Sequence, residues 1–487
     1  MVLFKKRARP LSWFFILLGL PAGCSSLPSD RHPHSQSSPS KTVYDLPGAN
    51  GIQAVSHQEI QEPLLPTPDP AVPLHSGPNA HPFAGMSELR IDALVQEVLG
   101  RNPSLAQMVA AWNVVLARYP QVTSLEDPIL GSKLGPGSFG SNKVDFAYIF
   151  EVSQKLPFPG KLALRGDSAL SEASAAGHDV EDMRLQLTEN VKVAFFDYYR
   201  VERSLEVNAD SLKLWEQTKK DASTRYENGK VEQQDVLQAD VEIGRERERR
   251  LTLEEIRKVV IARINTLMHL PPDSDLPPPP KEMALVNELP GVEALRTAAL
   301  ARRPDLQALA KRIRAEEANL GLAQKERYPD FEVAAGYDSF WQERPLRPQV
   351  GLRMNMPLYA ARRFGAVSEA QARIDQKHAE LARQTDQVNF QVQESFEKVR
   401  KGEKALVLYK NTILPAAELN AKAARSSYVA GKITALSRIE AERNLVNLRD
   451  RYFEAVADYN GRRATLERVI GGPLALVEGT DGHLISP

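Results

Sequence analysis

Apolar residues recur every third or fourth position through two long stretches of the chain, from residue 161 to about 225 and from 362 to about 426. Both stretches are rich in Ala, Glu, Lys, Arg, Gln and Leu, the residues with high helix propensity. Each predicts an amphipathic helical rod of roughly 98 Å. Because no single compact domain needs rods of that length, we interpret the rest of the chain as the parts that connect and attach them.

Three further segments alternate between apolar and polar residues, which predicts β-strands with one apolar and one mostly polar face. They cover residues 144–156, 331–338 and 349–356, and prolines follow the first and the third. A fourth strand is expected within residues 121–134, where the alternation is poorer and Asp127-Pro128 interrupts it.

The predicted elements occur twice in the same order: helix, strand, strand, long helix, tight turn and return helix. The turns cover residues 226–230 and 428–432, and their tyrosines, glycines and lysines are each 202 residues apart. Such a spacing, with the order of elements preserved, indicates an internal duplication. The predicted boundaries are 1–23 for a signal peptide, 24–85 for a disordered tether, 86–270 for the first repeat, 271–290 for a proline-rich link, 291–473 for the second repeat and 474–487 for a tail.

Two shorter helices flank the proline-rich link, which can form neither a helix nor a central strand. They are the return helix of the first repeat, residues 231–268, and the opening helix of the second repeat, residues 292–327. Together they match one rod in length, so we expect them to stack end to end beside it.

The N-terminus is typical of an export signal, with four basic residues followed by a short apolar core at positions 11–20. Small residues precede Cys24, the only cysteine of the chain, as in bacterial lipoprotein signals, although Pro21 replaces the usual aliphatic residue. We expect Cys24 to carry a lipid. The next residue is Ser25 rather than an aspartate, which would indicate retention in the inner membrane, so the outer membrane is favoured. The alternative is an ordinary secretory signal with an incidental cysteine. The histidines of the tether are interpreted as solvent-exposed filler rather than as metal ligands.

Composition excludes several classes of function. The 62 basic and 62 acidic residues balance, so no basic field indicates a nucleic-acid partner. A single cysteine cannot form an internal disulfide or a cysteine-based zinc site. Residues 135–140 match a G-x-G-x-x-G pattern, but a strand rather than a helix is predicted to follow it. No other catalytic motif occurs, so we expect no enzyme activity, cofactor or metal site.

Four strands with one apolar face cannot close a barrel alone, and unpaired strand edges are not tolerated in lipid. We therefore expect several chains to share one closed sheet. The order of elements, the duplication, the Tyr-x-x-Gly turns and the lipoprotein signal resemble TolC-like outer-membrane efflux proteins, particularly the lipoprotein branch that includes metal-efflux members. This resemblance implies a mostly α-helical fold with a membrane β-barrel: a homotrimer with a 12-stranded barrel on a periplasmic helical tunnel.

The resemblance also implies roles for residues at the two turns. Tyr226, Gly229 and Lys230 in the first turn, and Gly431 and Lys432 in the second, would form tips that receive a periplasmic adaptor protein, which in turn binds an inner-membrane pump. The alternative is that the glycines only terminate helices.

A gate is implied beside the second tip. Tyr428 would bond Asp235, and Ser437 and Glu440 occupy the positions where the family places acidic residues, so only Glu440 retains the charge. The alternative for Glu440 is a solvated charge on a helix face. Ile433 replaces an arginine that the family uses as a second bond. Pro415, inside the second rod only, predicts a bend there, and the second hairpin would be the one that moves.

The predicted function is an efflux duct through the outer membrane. A second hypothesis is a structural lipoprotein that spans the space between the membrane and the cell wall. The strands distinguish the two, because a spacer has no use for four strands with an apolar face. The transported substrate is not readable from the sequence.

Overall fold

The computed structural model of the protein describes residues 82–83, 85–140, 142, 145–283 and 289–475. These residues are mostly helical, as predicted, and the predicted order of elements is confirmed. Among them, no helix has both the length and the hydropathy needed to cross a bilayer. The elements are α1 (Ile91–Arg101), α2 (Pro103–Leu116), α3 (Arg118–Thr123), β1 (Ile129–Leu134), β2 (Tyr148–Leu156), α4 (Lys161–Glu227), α5 (Gln233–Leu267), α6 (Val292–Arg302), α7 (Pro304–Lys325), β3 (Phe331–Asp338), β4 (Pro348–Met354), α8 (Ala360–Leu408), α9 (Leu414–Val429) and α10 (Ala435–Val469).

The four strands form one antiparallel sheet in the order β1-β2-β3-β4. The pairings Leu130↔Val152 and Val152↔Ala335 place the apolar positions of neighbouring strands on one face. On this face Leu130, Val152 and Val350 are exposed. The opposite face carries Glu151 and other polar residues. The poorly alternating segment does form a strand, β1.

The two rods differ in continuity. The first rod, α4, is one helix of 67 residues, or about 100 Å. The second is α8, a π-helical turn at Tyr409–Ile413, and α9. Pro415 lies in the first turn of α9 and has no N–H to donate to the preceding turn, so a wider turn there avoids a lost bond and a clash. Lys213, the matching residue of the first rod, lies inside continuous helix.

The predicted stacking of the first return helix on the opening helix of the second repeat is wrong. Each return helix instead meets the opening helices of its own repeat. Asn102, the N-cap of α2, donates from Nδ2 to the carbonyl of Leu267 at the end of α5 (2.9 Å) and accepts from Ser104 N. Gly471, just after α10, lies against the backbone of Arg302 and Arg303 at the α6–α7 junction. The helix ends thus satisfy or cover each other's terminal polar groups.

Four apolar clusters of the described residues hold the helices together. The first joins α1, α4 and α5 with Leu276 of the proline-rich link. The second joins α6, α7, α8 and α10, and Tyr199 of α4 contributes to it. The third packs α2 against α4, and the fourth joins α4, α5 and α10. Because α4 contributes to all four, both repeats are anchored on this one rod.

Asp305, in the first turn of α7, binds the second opening helix to the second rod. It accepts from Arg303 Nε (2.9 Å) and Nη2 (2.7 Å), from Gln384 Nε2 of α8 (2.8 Å) and from the backbone N–H of Leu306 (2.9 Å). Burial alone would raise the pKa of this carboxyl, but the bonds from Arg303 and its other donors outweigh burial and hold the pKa below 3.8.

We predict that Asp305→Asn lowers the free energy of unfolding by roughly 1–3 kcal/mol, because it removes a charged acceptor with several donors. Since the folded-state pKa is depressed, this contribution is fully present above pH 3.8 and is lost as the pH falls through the lower folded-state pKa. Chemical denaturation at pH 7 and at pH 3 checks both statements. Asp92→Asn, in the exposed first turn of α1, is the matched control, and an equal effect of the two variants would contradict the assignment.

Candidate functional site

The two helical tips have the same backbone geometry. Gly229 and Gly431 follow the ends of α4 and α9 with φ of +66° and +68°. Lys230 N donates to Arg225 O, and Lys432 N donates to Ser427 O, both at 2.9 Å. These are Schellman motifs, which satisfy the last carbonyls of a helix and require a left-handed residue that glycine supplies most easily.

The tips are open on their outer side. A Cβ placed on either tip glycine would meet no atom of the described chain within 4 Å. Tyr226, Lys230 and Lys432 are exposed around them. Within one chain the glycines therefore serve as helix caps, and the role of the tips in adaptor docking stays a prediction.

Tyr428 connects the two hairpins, which we define as the first hairpin (α4 and α5) and the second hairpin (α9 and α10). It is the last buried residue of α9, and its hydroxyl donates to Asp235 Oδ2 at 2.8 Å. Asp235 lies in the first turn of α5, where a carboxylate also interacts favourably with the helix dipole. The structure thus brings together the two residues that the family resemblance pairs.

Two arginines, one from each hairpin's helices, lie against the ring of Tyr428. The guanidinium carbons of Arg225 and Arg438 lie 5.3 Å and 5.2 Å from the ring centroid, within the range of cation–π attraction. Arg225 of α4 also donates to the carbonyls of Tyr428 and Val429, both at 3.4 Å. Arg438 of α10 is buried and donates to Thr218 Oγ1 of α4 at 2.8 Å.

The phenol of Tyr428 is a stable donor. Burial, followed by the hydrogen bond and the charge of Asp235, raises its pKa from 10.0 to about 12. The bond to Asp235 is therefore fully formed below pH 10 and is lost only as the pH rises through about 12. Over the whole physiological range Tyr428 keeps the proton that it donates.

The other predicted site residues lie apart from this pair. Ser437 and Glu440 are exposed on α10, and Ser437 N donates to Thr434 Oγ1 (3.3 Å) in the N-cap of that helix. Pro415 follows the π-helical turn of the second rod. Cys24 and the tether histidines lie outside the described residues. Within those residues, no group of three or more His, Cys, Asp or Glu side chains could hold a metal ion.

Sequence reasoning missed Arg225, Arg438 and an ion pair between the buried Glu242 of α5 and Arg443 of α10. The arginines carry no local signal, because their partners are far away along the chain. The ion pair had one available signal: Glu242 follows Asp235 by seven residues, two helical turns along the same face of α5.

Two helical rods about 100 Å long, each packed against a shorter antiparallel helix, and one small antiparallel sheet are features of outer-membrane efflux channels. The sequence profile of the outer membrane efflux protein family matches residues 94–268 and 295–472, so the chain belongs to that family. This is a family of channels rather than of enzymes.

Individual relatives are distant. An uncharacterized protein of Haemophilus influenzae is 22% identical over 275 residues, which are 52% of this chain and 57% of that protein. The structure of the outer membrane protein VceC of Vibrio cholerae superposes with a TM-score of 0.67 at 20% identity, covering 79% of this chain and 96% of that one. The open-state structure of the MtrE outer membrane channel of Neisseria gonorrhoeae gives a TM-score of 0.65 at 17% identity, covering 79% and 89%. These similarities support the same fold.

We predict that Gly431→Ala destabilises the second tip by about 1–2 kcal/mol, because a Cβ is strained at positive φ although space is free around it. Gly431→Asn should cost less, since Asn tolerates left-handed backbone. Hydrogen–deuterium exchange of the tip amides measures both. Gly244→Ala is the control: Gly244 lies inside α5 with free space around it, so alanine there should slow exchange. Similar changes at both positions would contradict the role given to the positive φ.

Proposed function

We propose that this protein is the outer-membrane exit duct of a three-component efflux system. Three copies would form a closed barrel of twelve strands, four from each chain, continued by a periplasmic tunnel of helices. The open tips would receive a periplasmic adaptor, and an inner-membrane pump would supply the substrate. A lipid on Cys24 would anchor each chain to the outer membrane.

One observation carries this proposal: the sheet has an exposed apolar face and two outer strands, β1 and β4, that each pair on one side only within the described residues. Exposed strand edges promote aggregation in water and are not tolerated in lipid unless the sheet closes. Pairing β4 of one chain with β1 of the next satisfies both edges and leaves the apolar face outward. Three copies of four strands fall within the size range of membrane barrels.

Aromatic residues at both ends of the apolar face support a membrane position. At the end of the sheet far from the helices, Phe146 in the β1–β2 loop contacts Phe139 and Tyr148, with ring centroids 5.3 and 5.6 Å apart. At the helix end, Phe158 stacks on Tyr328 at 4.5 Å. Aromatic bands of this kind mark the two interfaces of membrane barrels, where amphipathic rings lie at the level of the lipid headgroups.

The opposite face of the sheet suits a water-filled lumen. Arg353 of β4 donates to Glu151 of β2 (2.5 Å) and to Glu332 of β3 (3.3 Å) across three neighbouring strands. Such charges are tolerated inside a barrel and are costly on its lipid face. A structural spacer between membrane and cell wall needs neither face, so the sheet favours the duct over that alternative.

The helical tips would form the gate of this duct. Tyr428 and Asp235 hold the second hairpin against the first, and the exposed Glu440 of each chain would contribute to a ring of three carboxylates that attracts cations. The π-helical turn before Pro415 would let the second hairpin move outward when the bond breaks. An adaptor that binds the tips could supply the free energy for this opening.

We predict that cysteine pairs across the two free edges cross-link neighbouring chains. Each double variant combines a cysteine at Gly131 or Lys133 of β1 with one at Gln349 or Gly351 of β4, all on the polar face. Oxidation of the protein in membranes should give dimer and trimer bands on a denaturing gel and nothing larger, because a ring of three closes.

Variants with only one of the two cysteines control for collisions between unrelated chains and should stay monomeric on the same gel. All variants retain Cys24. A ladder that extends beyond three copies would rule out the trimer, and the absence of every cross-link would favour the spacer.

We predict that Tyr428→Phe raises the closed-state conductance of the purified channel in planar bilayers, because it removes the hydroxyl that binds Asp235. The lost bond to a charged acceptor corresponds to roughly 1.5–3 kcal/mol, or on the order of tenfold or more in the population of open tips. Between pH 7 and pH 10 the wild-type closed state should not change through Tyr428, whose pKa is raised to about 12.

Tyr226→Phe is the matched control, since Tyr226 occupies the equivalent position of the first tip and its side chain is exposed. This variant should conduct like the wild type. An unchanged closed state in Tyr428→Phe would exclude the proposed role of the Tyr428–Asp235 bond.

A further inference from the structure

Three residues of α5 face the second hairpin at seven-residue intervals: Asp235, Glu242 and Arg249. Each has a polar partner there. Asp235 accepts from Tyr428 at 2.8 Å, Glu242 binds Arg443, and Arg249 binds Asp450. Because seven residues are close to two helical turns, the three contacts lie on one face of α5 over roughly 21 Å from the tip.

Glu242 is the most buried of the three α5 residues, whereas its partner Arg443 is 39% exposed. The Glu242 side chain is 5% exposed and accepts from Arg443 Nε at 2.7 Å on one oxygen, while Arg443 Nη2 binds the other. Arg245, one turn further along α5, also donates to Glu242 at 2.9 Å. Burial alone would raise the pKa of Glu242, but the bonds and charges of Arg443 and Arg245 outweigh it and hold the pKa below 4.5. The bidentate pair is therefore charged at neutral pH.

Each hairpin is also braced within itself. Lys219 of α4 binds Asp240 of α5 at 2.6 Å in the first hairpin. Arg425 of α9 binds the buried Glu442 of α10 at 2.7 Å in the second. Asp240 and Glu442 are 202 residues apart, so they are equivalent positions of the duplication. These internal braces make each hairpin a unit, and separation of the two hairpins has to break the contacts between them.

We propose that Glu242 and Arg443 form the main lock between the two hairpins, and that Tyr428–Asp235 is the outermost contact of a three-step ladder completed by Arg249–Asp450. This inference rests on the proposed function, since it deepens the account of the gate. Replacing Arg443 removes the bidentate donor of the buried Glu242 carboxylate and leaves it only the bond from Arg245, and we expect this penalty to exceed the loss of a single phenol hydrogen bond. Ile433 replaces the arginine that forms a second bond in the family, and the ladder would provide bonds between the hairpins in its place.

An apolar contact competes with this explanation. Trp215 of α4, Ile243 of α5 and Ile439 of α10 are buried together next to the ladder. Apolar contact alone could hold α10 against the first hairpin without any contribution from the ion pair. The experiment therefore has to separate the charge pair from its apolar surroundings.

The test is a double-mutant cycle of Glu242→Leu and Arg443→Leu in the full-length protein, with closed-state conductance in planar bilayers as the first readout. We expect Arg443→Leu to raise the leak above that of Tyr428→Phe, on the order of tenfold or more over wild type. The double variant should leak less than the product of the two single effects, because it removes the buried carboxylate together with its bidentate partner. Arg443→Lys, which keeps the charge but loses the bidentate bond, should fall between wild type and Arg443→Leu.

The second readout is hydrogen–deuterium exchange of α5 and α10, which does not depend on conductance. We expect faster exchange near Glu242 and Arg443 in both single variants. The control is Glu418→Leu with Arg449→Leu, an exposed pair that joins α9 to α10 at 2.9 Å within the second hairpin. This control should change neither the leak nor the exchange of α5.

The outcomes separate the two proposals. If the wild type does not conduct, the duct is wrong, and the exchange data still test the ladder. If Tyr428→Phe leaks while Arg443→Leu changes neither conductance nor exchange, the ladder is overturned and the apolar contact holds the hairpins. Independent effects of Glu242→Leu and Arg443→Leu in the cycle would equally overturn it, whereas coupled effects in both readouts support it.

Discussion

The unpaired edges of β1 and β4 are the constraint on which the proposed assembly depends. The backbone groups along those edges need partners, and the apolar face between them needs an environment other than water. In the described residues, the unpaired edges and the apolar face belong to one four-stranded sheet, which is too small to close on itself. The proposed ring of several chains would satisfy both at once, and the polar face of the sheet would line its lumen. The helical rods would then be the periplasmic continuation of the same ring.

Within one chain, α4 is the fixed element. It is continuous over 67 residues and contributes to the apolar clusters of both repeats. The second rod carries the interruption instead, at Tyr409–Ile413. The two rods therefore share a design but differ in continuity. A gate needs such a difference, because motion of one hairpin is only useful if the other keeps its position.

Patterns with a short range were predictable from the sequence, and contacts across the chain were not. Periodicity located three strands and both rods, the repeated order of elements indicated the fourth strand, and Gly229 and Gly431 located the tips. The pairing of Tyr428 with Asp235 came from family resemblance, since 193 residues separate them. The stacking prediction was wrong because it rested on helix lengths, which fit either opening helix as the partner of α5. The contacts of Asn102 identify the partner, since its side chain binds the end of α5 and the start of α2. The roles of Arg225 and Arg438 could not be predicted, because arginines are common on exposed helix faces and the sequence does not show that these two contact Tyr428.

The difference between the two contacts of the proposed gate has a physical consequence for how it would open. The Tyr428–Asp235 bond is neutral on one side and lies near the tip, where an approaching partner can compete for Asp235. The Glu242–Arg443 pair is charged on both sides and its carboxylate is buried, so it separates only if water or another charge replaces Arg443 at Glu242. Binding at the tip would thus loosen the outer contact first and admit water to the buried carboxylate. In this order of events the charge pair would set the free energy of opening, and the tyrosine would control access to it.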